Sequence, residues 1–196
     1  GKVAGLRVAD LCAAPGGKTA HLLEYADADV WALDIDAHRC ERIQENLLRL
    51  GLQAKVVCAD VADTPSWWTG QLFDAILLDA PCTASGIVRR HPDIPLLRRE
   101  SDLPALVKSQ RRLLDALWPL LAPGGRMVYC TCSVFRDEGQ YQIDSFLARN
   151  TQAVLRPSPG HLMLGRAANP AGLLDNAVSS FDGFFYAVLE QRNADL

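Results

Sequence analysis

Two cysteines in this chain stand where a thiol can do work. Cys82 closes the tetrad "DAPC" that starts at Asp79, and Cys132 is the centre of "TCS"; each lies just past an apolar run. A thiolate is a nucleophile only when its pKa is low or a base is near. Beside a methyl donor, the reaction that needs such a group is methylation of a pyrimidine at C5. That carbon is a poor nucleophile until a thiolate adds at C6. A base must then remove the C5 proton, and the thiol leaves by elimination. A carboxyl group next to the ring's N3 would stabilise the adduct, and Asp79 is placed for that role. Cys40, Cys58 and Cys130 read as small buried hydrophobes, and Cys12 as the lining of a loop. The C-x-C spacing of Cys130 and Cys132 is not that of metal-binding pairs, so no metal is expected.

The methyl donor would need a nucleoside pocket, and "DLCAAPGGKTA" from Asp10 to Ala20 is the candidate. Its end, Gly17-Lys18-Thr19, resembles the end of a phosphate loop. Cys12 stands where that loop needs glycine, however, and Pro15 removes a backbone donor where N–H groups must point inward. The small residues Cys12, Ala13, Ala14, Pro15, Gly16 and Gly17 let a backbone approach an adenosine-like ligand instead, with Lys18 after them. Asp34 and Asp60 end the next two apolar runs. Asp34 is suited to ribose hydroxyls and Asp60 to adenine, and S-adenosylmethionine fits the set, its methionine end over Cys12–Lys18. Taken alone, either acid reads equally as the cap of a following helix.

These residues need a frame that brings them together. Apolar runs at Leu6–Cys12, Val30–Ile35, Ala54–Ala59, Phe73–Ala80, Arg126–Cys132 and Phe184–Glu190 read as strands. Helical patterns fall at Lys18–Tyr25, Ala37–Leu50, about Leu103–Leu121 and Asp137–Asn150, with Asp36 as an N-cap and Gly51 as a stop. A Pro/Gly-rich loop is expected from Pro157 to Gly172. Strands apolar on both faces, each followed by a helix, imply a doubly wound parallel α/β sheet. Ligands then bind beyond the carboxyl ends of its strands, and Cys82 and Cys132 should face one cleft.

The 196 residues, 49% hydrophobic and 22% charged, suit one domain over residues 1–196, with neither internal repeat nor membrane span. No signal-peptide pattern opens the chain, and the six cysteines lack a disulfide framework, so a reduced, cytoplasmic setting is expected. Net charge is −3, but the window from Ile87 to Arg112 holds seven Lys/Arg against three acids. That basic segment reads either as a solvated helix face or as a place to steer a polyanion. Arg89, Arg90 and His91 would lie beside Cys82 and hold phosphates around an extruded nucleotide. Two other functions remain open at this level: a P-loop-like nucleoside triphosphatase, whose Walker-B-like strand would be "FDAILLDA", and a module that binds cofactor or partner without turnover.

The set "DLCAAPGGKT", "LDID", "CAD", "LLDAPC…SG", "RRHPDI", "YCTCSV" and "DGFFYAVL" resembles the RNA (cytosine-5) methyltransferases of the NOL1/NOP2/Sun group over nearly the whole chain. The resemblance implies a Rossmann-like methyltransferase fold: a doubly wound, mostly parallel seven-stranded sheet with a late antiparallel strand. It implies S-adenosylmethionine as cofactor and RNA (small-subunit, 16S ribosomal RNA) as partner; a monomer is expected. By resemblance Cys132 is the nucleophile and Cys82 assists product release. Cys12 to Lys18, Asp34, Asp60 and Asp79 take cofactor-site positions, and Lys18 and Asp79 organise the cleft. The group carries further sequence before its first strand, RNA-binding in some members, so the chain is expected to be a catalytic-domain fragment.

Overall fold

The computed structural model describes residues 4–162 and 182–193. Its elements are β1 (Ala4–Leu11), α1 (Gly17–Tyr25), β2 (Asp27–Asp34), α2 (Ala37–Leu50), β3 (Lys55–Cys58) and β4 (Phe73–Asp79), followed by the single turn α3 (Ile94–Leu97), α4 (Asp102–Leu117), β5 (Leu121–Thr131), α5 (Gln140–Arg149), β6 (Ala153–Leu162) and β7 (Phe184–Gln191). One seven-stranded sheet results, in the order β3-β2-β1-β4-β5-β7-β6. β7 runs antiparallel to both of its neighbours, and every other adjacent pair is parallel. The strand order reverses between β1 and β4, so a crevice opens at their carboxyl ends, where ligands of doubly wound sheets bind.

Both faces of the sheet are covered, as the apolar strands require. In β2, Trp31 and Leu33 join a large core with Leu114 and Leu117 of α4 and Ile143 and Phe146 of α5. Ala32, between them, faces the other way and packs with Ala20 of α1 and with Ile43 and Leu47 of α2. This period-two alternation assigns α1 and α2 to one layer and α4 and α5 to the other. The ends of α2 follow from its sequence: the Asp36 carboxylate accepts the Arg39 N–H at 2.9 Å, and Gly51 closes the helix at φ 67°.

The structure departs from expectation at the edge. The expected loop begins at Pro157, yet residues 157–162 belong to β6; residues 163–172 lie outside the described part. β6 is an edge strand that, among the described residues, pairs with β7 alone, and its register shifts between Arg156 and Gly160. Pro157 and Pro159 fall inside that irregularity, where a missing N–H breaks no ladder bond. The helix read at about Leu103–Leu121 is also shorter than expected: α4 ends at Leu117 in a 3-10 turn over Trp118–Leu120, while β5 starts as early as Leu121. Among the described residues no helix is long and apolar enough to cross a membrane.

Candidate active site

The loop between β1 and α1 is shaped mainly by α2. Arg39, Ile43 and Asn46 follow one another at helical spacing on one side of that helix. Asn46 Nδ2 donates to the Pro15 carbonyl at 2.8 Å and Arg39 donates to the Ala14 carbonyl at 3.2 Å. Gly16 lies so close to Ile43 that a Cβ would come within 3.1 Å of its Cγ2, and its φ of 95° favours glycine as well. Asp34, at the end of β2, is buried and accepts the Ala14 N–H at 3.2 Å and the Asp36 N–H at 3.3 Å, with Arg39 3.5 Å away. Asp34 therefore caps α2 less than it pins the loop. Ile35 beside it is 67% exposed, an apolar face next to a carboxylate.

Lys18, in the first turn of α1, crosses the switch point and places Nζ 2.6 Å from Asp79 Oδ2. Burial works against the ammonium, but the hydrogen bond it donates to Asp79 and the charge of that carboxylate outweigh it and hold Lys18 above its ordinary pKa. The other Asp79 oxygen accepts the Cys130 thiol at 3.4 Å. Cys130 is thus more than the small hydrophobe its strand suggests: burial, reinforced by Asp79, pushes its thiol well up and keeps it a donor. Lys18, committed to Asp79, is turned away from a phosphate-binding role. That commitment of Lys18 argues against the triphosphatase reading. The same donor set suits a nucleoside with a charged amino-acid tail: backbone N–H groups at the start of α1, Asp34 with Ile35 beside it, then Asp60.

Cys82 and Cys132 meet, with their sulfurs 3.4 Å apart. Cys82 is buried and Cys132 half-buried. The hydrogen bond from Cys82 lowers the Cys132 pKa against the opposing effect of burial. The same contact, together with burial, raises Cys82. The contact therefore polarises the pair, pushing the more open sulfur, Cys132, towards the thiolate and the enclosed one, Cys82, towards the thiol. Cys12 is unsuited to that role: burial, then Asp34 and Asp79, push its thiol up to about 12.

Three loops lock this centre. The Gly86 N–H donates to the Cys132 carbonyl at 3.0 Å, and the Gly183 N–H donates to the Gly86 carbonyl at 2.7 Å. A Cβ on Gly86 would lie 1.8 Å from the Gly183 carbonyl oxygen, which explains the glycines in "ASG" and "DGF". Arg98 donates to the carbonyls of Cys82 and Thr83 at 3.1 and 2.9 Å. Arg89 and Arg90 stand just beyond the Ser85–Ile87 turn, both more than half exposed, and both pair with Asp182. His91 closes the turn through its N–H to the Ile87 carbonyl at 3.0 Å. At the far end of the crevice Asp60 is held by Arg112 of α4 at 2.7 Å, a hydrogen bond that keeps its carboxyl below the usual range.

The crevice thus gathers Cys12–Lys18, Asp79, Cys82 and Cys132 at the switch point, with Asp34 and Asp60 on the next strand ends. Reading the sequence missed the partners that hold them: Arg39, Asn46, Arg98 and Arg112. None carries a local signal, because each acts across a gap in the chain that only the fold closes. Among the described residues no group of three or more His, Cys, Asp or Glu could hold a metal ion.

Comparison with known proteins identifies the family. The family model described as 16S rRNA methyltransferase RsmB/F matches residues 4–190. Ribosomal RNA small subunit methyltransferase B of Vibrio vulnificus is 49% identical over 189 residues, 96% of this chain and 43% of that protein. The Salmonella newport protein of the same name is 50% identical over 190 residues, again 96% and 43%. The chain therefore spans less than half the length of these relatives. Among solved structures, NSun6 from Pyrococcus horikoshii with SFG has a TM-score of 0.77 at 30% identity, covering 95% of this chain and 48% of that one. A methyltransferase homolog protein from Pyrococcus horikoshii has a TM-score of 0.76 at 32% identity, covering 97% and 63%. With the Rossmann-like sheet, the paired cysteines and a family match across nearly every described residue, this chain belongs to the RsmB/F family of 16S rRNA methyltransferases.

Proposed function

We propose that this domain methylates C5 of cytosine in small-subunit ribosomal RNA, using S-adenosylmethionine and a covalent bond between Cys132 and C6 of the base. The observation that carries this reading is the contact of Cys82 and Cys132 at 3.4 Å, with the Cys132 pKa lowered, beside the Lys18–Asp79 pair. Both curated relatives bear the name of a small-subunit ribosomal RNA methyltransferase, and the NSun6 structure holds SFG, an S-adenosylmethionine analogue.

When bound, S-adenosylmethionine supplies an electrophilic methyl group. The residues that would hold it are the Cys12–Gly17 backbone with the first N–H groups of α1, Asp34 for the ribose once Arg39 yields, and Asp60 for the adenine amino group. The Cys132 thiolate adds to C6 of a cytosine swung out of its stack, and the ring's electrons move towards C5 and N3. The Lys18 ammonium, through Asp79 at the N3 edge, lends a proton to N3 where negative charge would otherwise build, and recovers it when that charge is lost. After methyl transfer a water molecule takes the C5 proton, the electrons of the broken C5–H bond re-form the C5–C6 double bond, and Cys132 leaves as the thiolate. Cys82, in contact with the departing sulfur, assists that release by returning its hydrogen bond to Cys132. Arg89, Arg90 and His91 flank the entry and hold phosphates next to the target nucleotide.

The test uses two variants. Cys132→Ala should abolish methyl transfer while calorimetric titration still shows S-adenosylmethionine binding and no binding of ATP–magnesium. Cys82→Ala should accumulate a protein–RNA adduct that survives denaturing electrophoresis. Methyl transfer by Cys132→Ala would refute the assignment.

A further inference from the structure

Glu138 is fully buried, and both of its carboxylate oxygens are spent on one turn. Oε1 accepts the Thr83 N–H at 2.9 Å, and Oε2 accepts the Thr83 hydroxyl at 2.6 Å. Gln110 Nε2, on α4, donates to Oε1 at 3.0 Å and to the Pro81 carbonyl at 2.9 Å. The backbone carbonyl of Glu138 accepts the Tyr129 hydroxyl at 2.9 Å and the Thr131 hydroxyl at 3.3 Å, which ties it to the end of β5. One residue therefore joins the loop that carries Cys82 to the strand that delivers Cys132. All three donors to its side chain are neutral, and taking a carboxylate out of water for neutral partners is expensive unless each bond is well made.

The remaining contacts of the turn run the same way. Arg98 takes the carbonyls of Cys82 and Thr83. The Ser85 hydroxyl meets that of Ser133 at 3.1 Å, and the Thr83 hydroxyl lies 3.4 Å from it. Cys82 is held through its carbonyl by Arg98 and through its thiol by the Ala84 N–H. Where its sulfur sits relative to Cys132 is set by where residues 81–83 are held.

We propose that Glu138 is a positioning residue of the two-cysteine centre: by fixing the Pro81–Thr83 turn against the end of β5, it sets the contact between the sulfurs of Cys82 and Cys132. This inference rests on the reading of that pair as the reactive centre, but its geometry can be tested without RNA or methyl donor. The titratable groups that face Cys132 are Cys82, Asp79, Lys18 and the Tyr186 hydroxyl, and only the first would move when Glu138 is changed.

The experiment is iodoacetamide alkylation of the full chain at a series of pH values, with the Cys132 peptide quantified by mass spectrometry and the exposed Cys58 as internal reference. Folding is checked by circular dichroism. Glu138→Ala removes the anchor, and Glu138→Asp keeps the charge but draws the turn back by one methylene. Both should raise the midpoint of Cys132 alkylation, by up to about one pH unit as the Cys82 hydrogen bond is lost. Glu138→Gln keeps an acceptor for the Thr83 N–H, and the Thr83 hydroxyl can turn to accept from the new amide, so its midpoint should stay near that of the parent. In methyl transfer, the Ala and Asp variants should lose kcat at unchanged KM for the methyl donor. An unshifted Cys132 midpoint in folded Glu138→Asp overturns the proposal. So does failure of both the Ala and Asp variants to fold, which would make Glu138 a residue of the fold alone. Shifted midpoints with no methyl transfer by the parent would leave the positioning role standing and overturn the functional reading instead.

Discussion

Replacing Cys82 by alanine should change Cys132 before any substrate is present. The two sulfurs lie 3.4 Å apart, and the Cys82 hydrogen bond is the largest influence lowering the Cys132 pKa. A hydrogen bond to a charged acceptor contributes about 1.5–3 kcal/mol, and a thiol is a weak donor, so the lower figure applies. At 1.36 kcal/mol per unit, losing it raises the Cys132 pKa by about one unit. The thiolate fraction below that pKa falls about tenfold. Intrinsic nucleophilicity rises with pKa at a Brønsted slope of about 0.4–0.5 and recovers about threefold of this, so alkylation at fixed low pH slows by about threefold. Cys82→Ser, which keeps a hydroxyl donor in place, should restore most of the rate. The assay is the rate of iodoacetamide labelling at Cys132 relative to Cys58 from pH 5 to 10. A Cys132 midpoint that stays put or falls in Cys82→Ala would refute the assignment of donor and thiolate.

Other perturbations test the frame. Gly86→Ala sets a methyl group 1.8 Å from the Gly183 carbonyl, where only backbone movement relieves it. It should destabilise the chain by about 1–3 kcal/mol in urea unfolding and also part the loop from Cys132. Asp10 is buried under the switch point, holding the Thr19 hydroxyl at 2.5 Å while its other oxygen has no partner, and burial pushes its carboxyl from 3.8 to about 6. An acid whose folded pKa is raised binds its proton more tightly when folded, so stability falls as pH rises from about 4 to about 6, by about 3 kcal/mol in all. Asp10→Asn should remove that slope in denaturant titrations run across this pH range. Arg112→Ala frees the Asp60 carboxylate, which is half of a partly exposed pair. If Asp60 receives the adenine amino group, calorimetry should show S-adenosylmethionine binding tighter by about two- to fivefold, in line with the weak energy of such pairs.

Much of the frame was open to reading because its signals are local. Asp36 and Gly51 bound α2 through side-chain and φ requirements carried by the residues themselves. The meeting of Cys82 and Cys132 followed from topology, since each lies just past one of two adjacent parallel strands. β6 was hidden because Pro157 and Pro159 speak against a strand unless it lies at an edge and its register slips there. The partners were hidden for another reason. Glu138 stands 55 residues from Thr83 and 28 from Gln110, and Arg112 stands 52 from Asp60, so no period or motif links them. Cys130 showed its strand face but not its bond to Asp79, because period two places a side chain on a face without naming what lies across the crevice. Arg89 and Arg90 read as cations placed to hold phosphates, and their pairing with Asp182 was not legible because it spans about 90 residues of chain.

The central claim is a bond between Cys132 and C6 of a cytosine. It is tested most directly by incubating the protein with S-adenosylmethionine and an RNA whose cytosines are replaced by 5-fluorocytosine. Fluorine at C5 cannot leave as a proton, so elimination stops after methyl transfer. A band of protein plus RNA that survives denaturing electrophoresis, maps to the Cys132 peptide and vanishes in Cys132→Ala is the predicted result. An adduct on Cys82, or methylated RNA released with no adduct on either cysteine, would contradict the account.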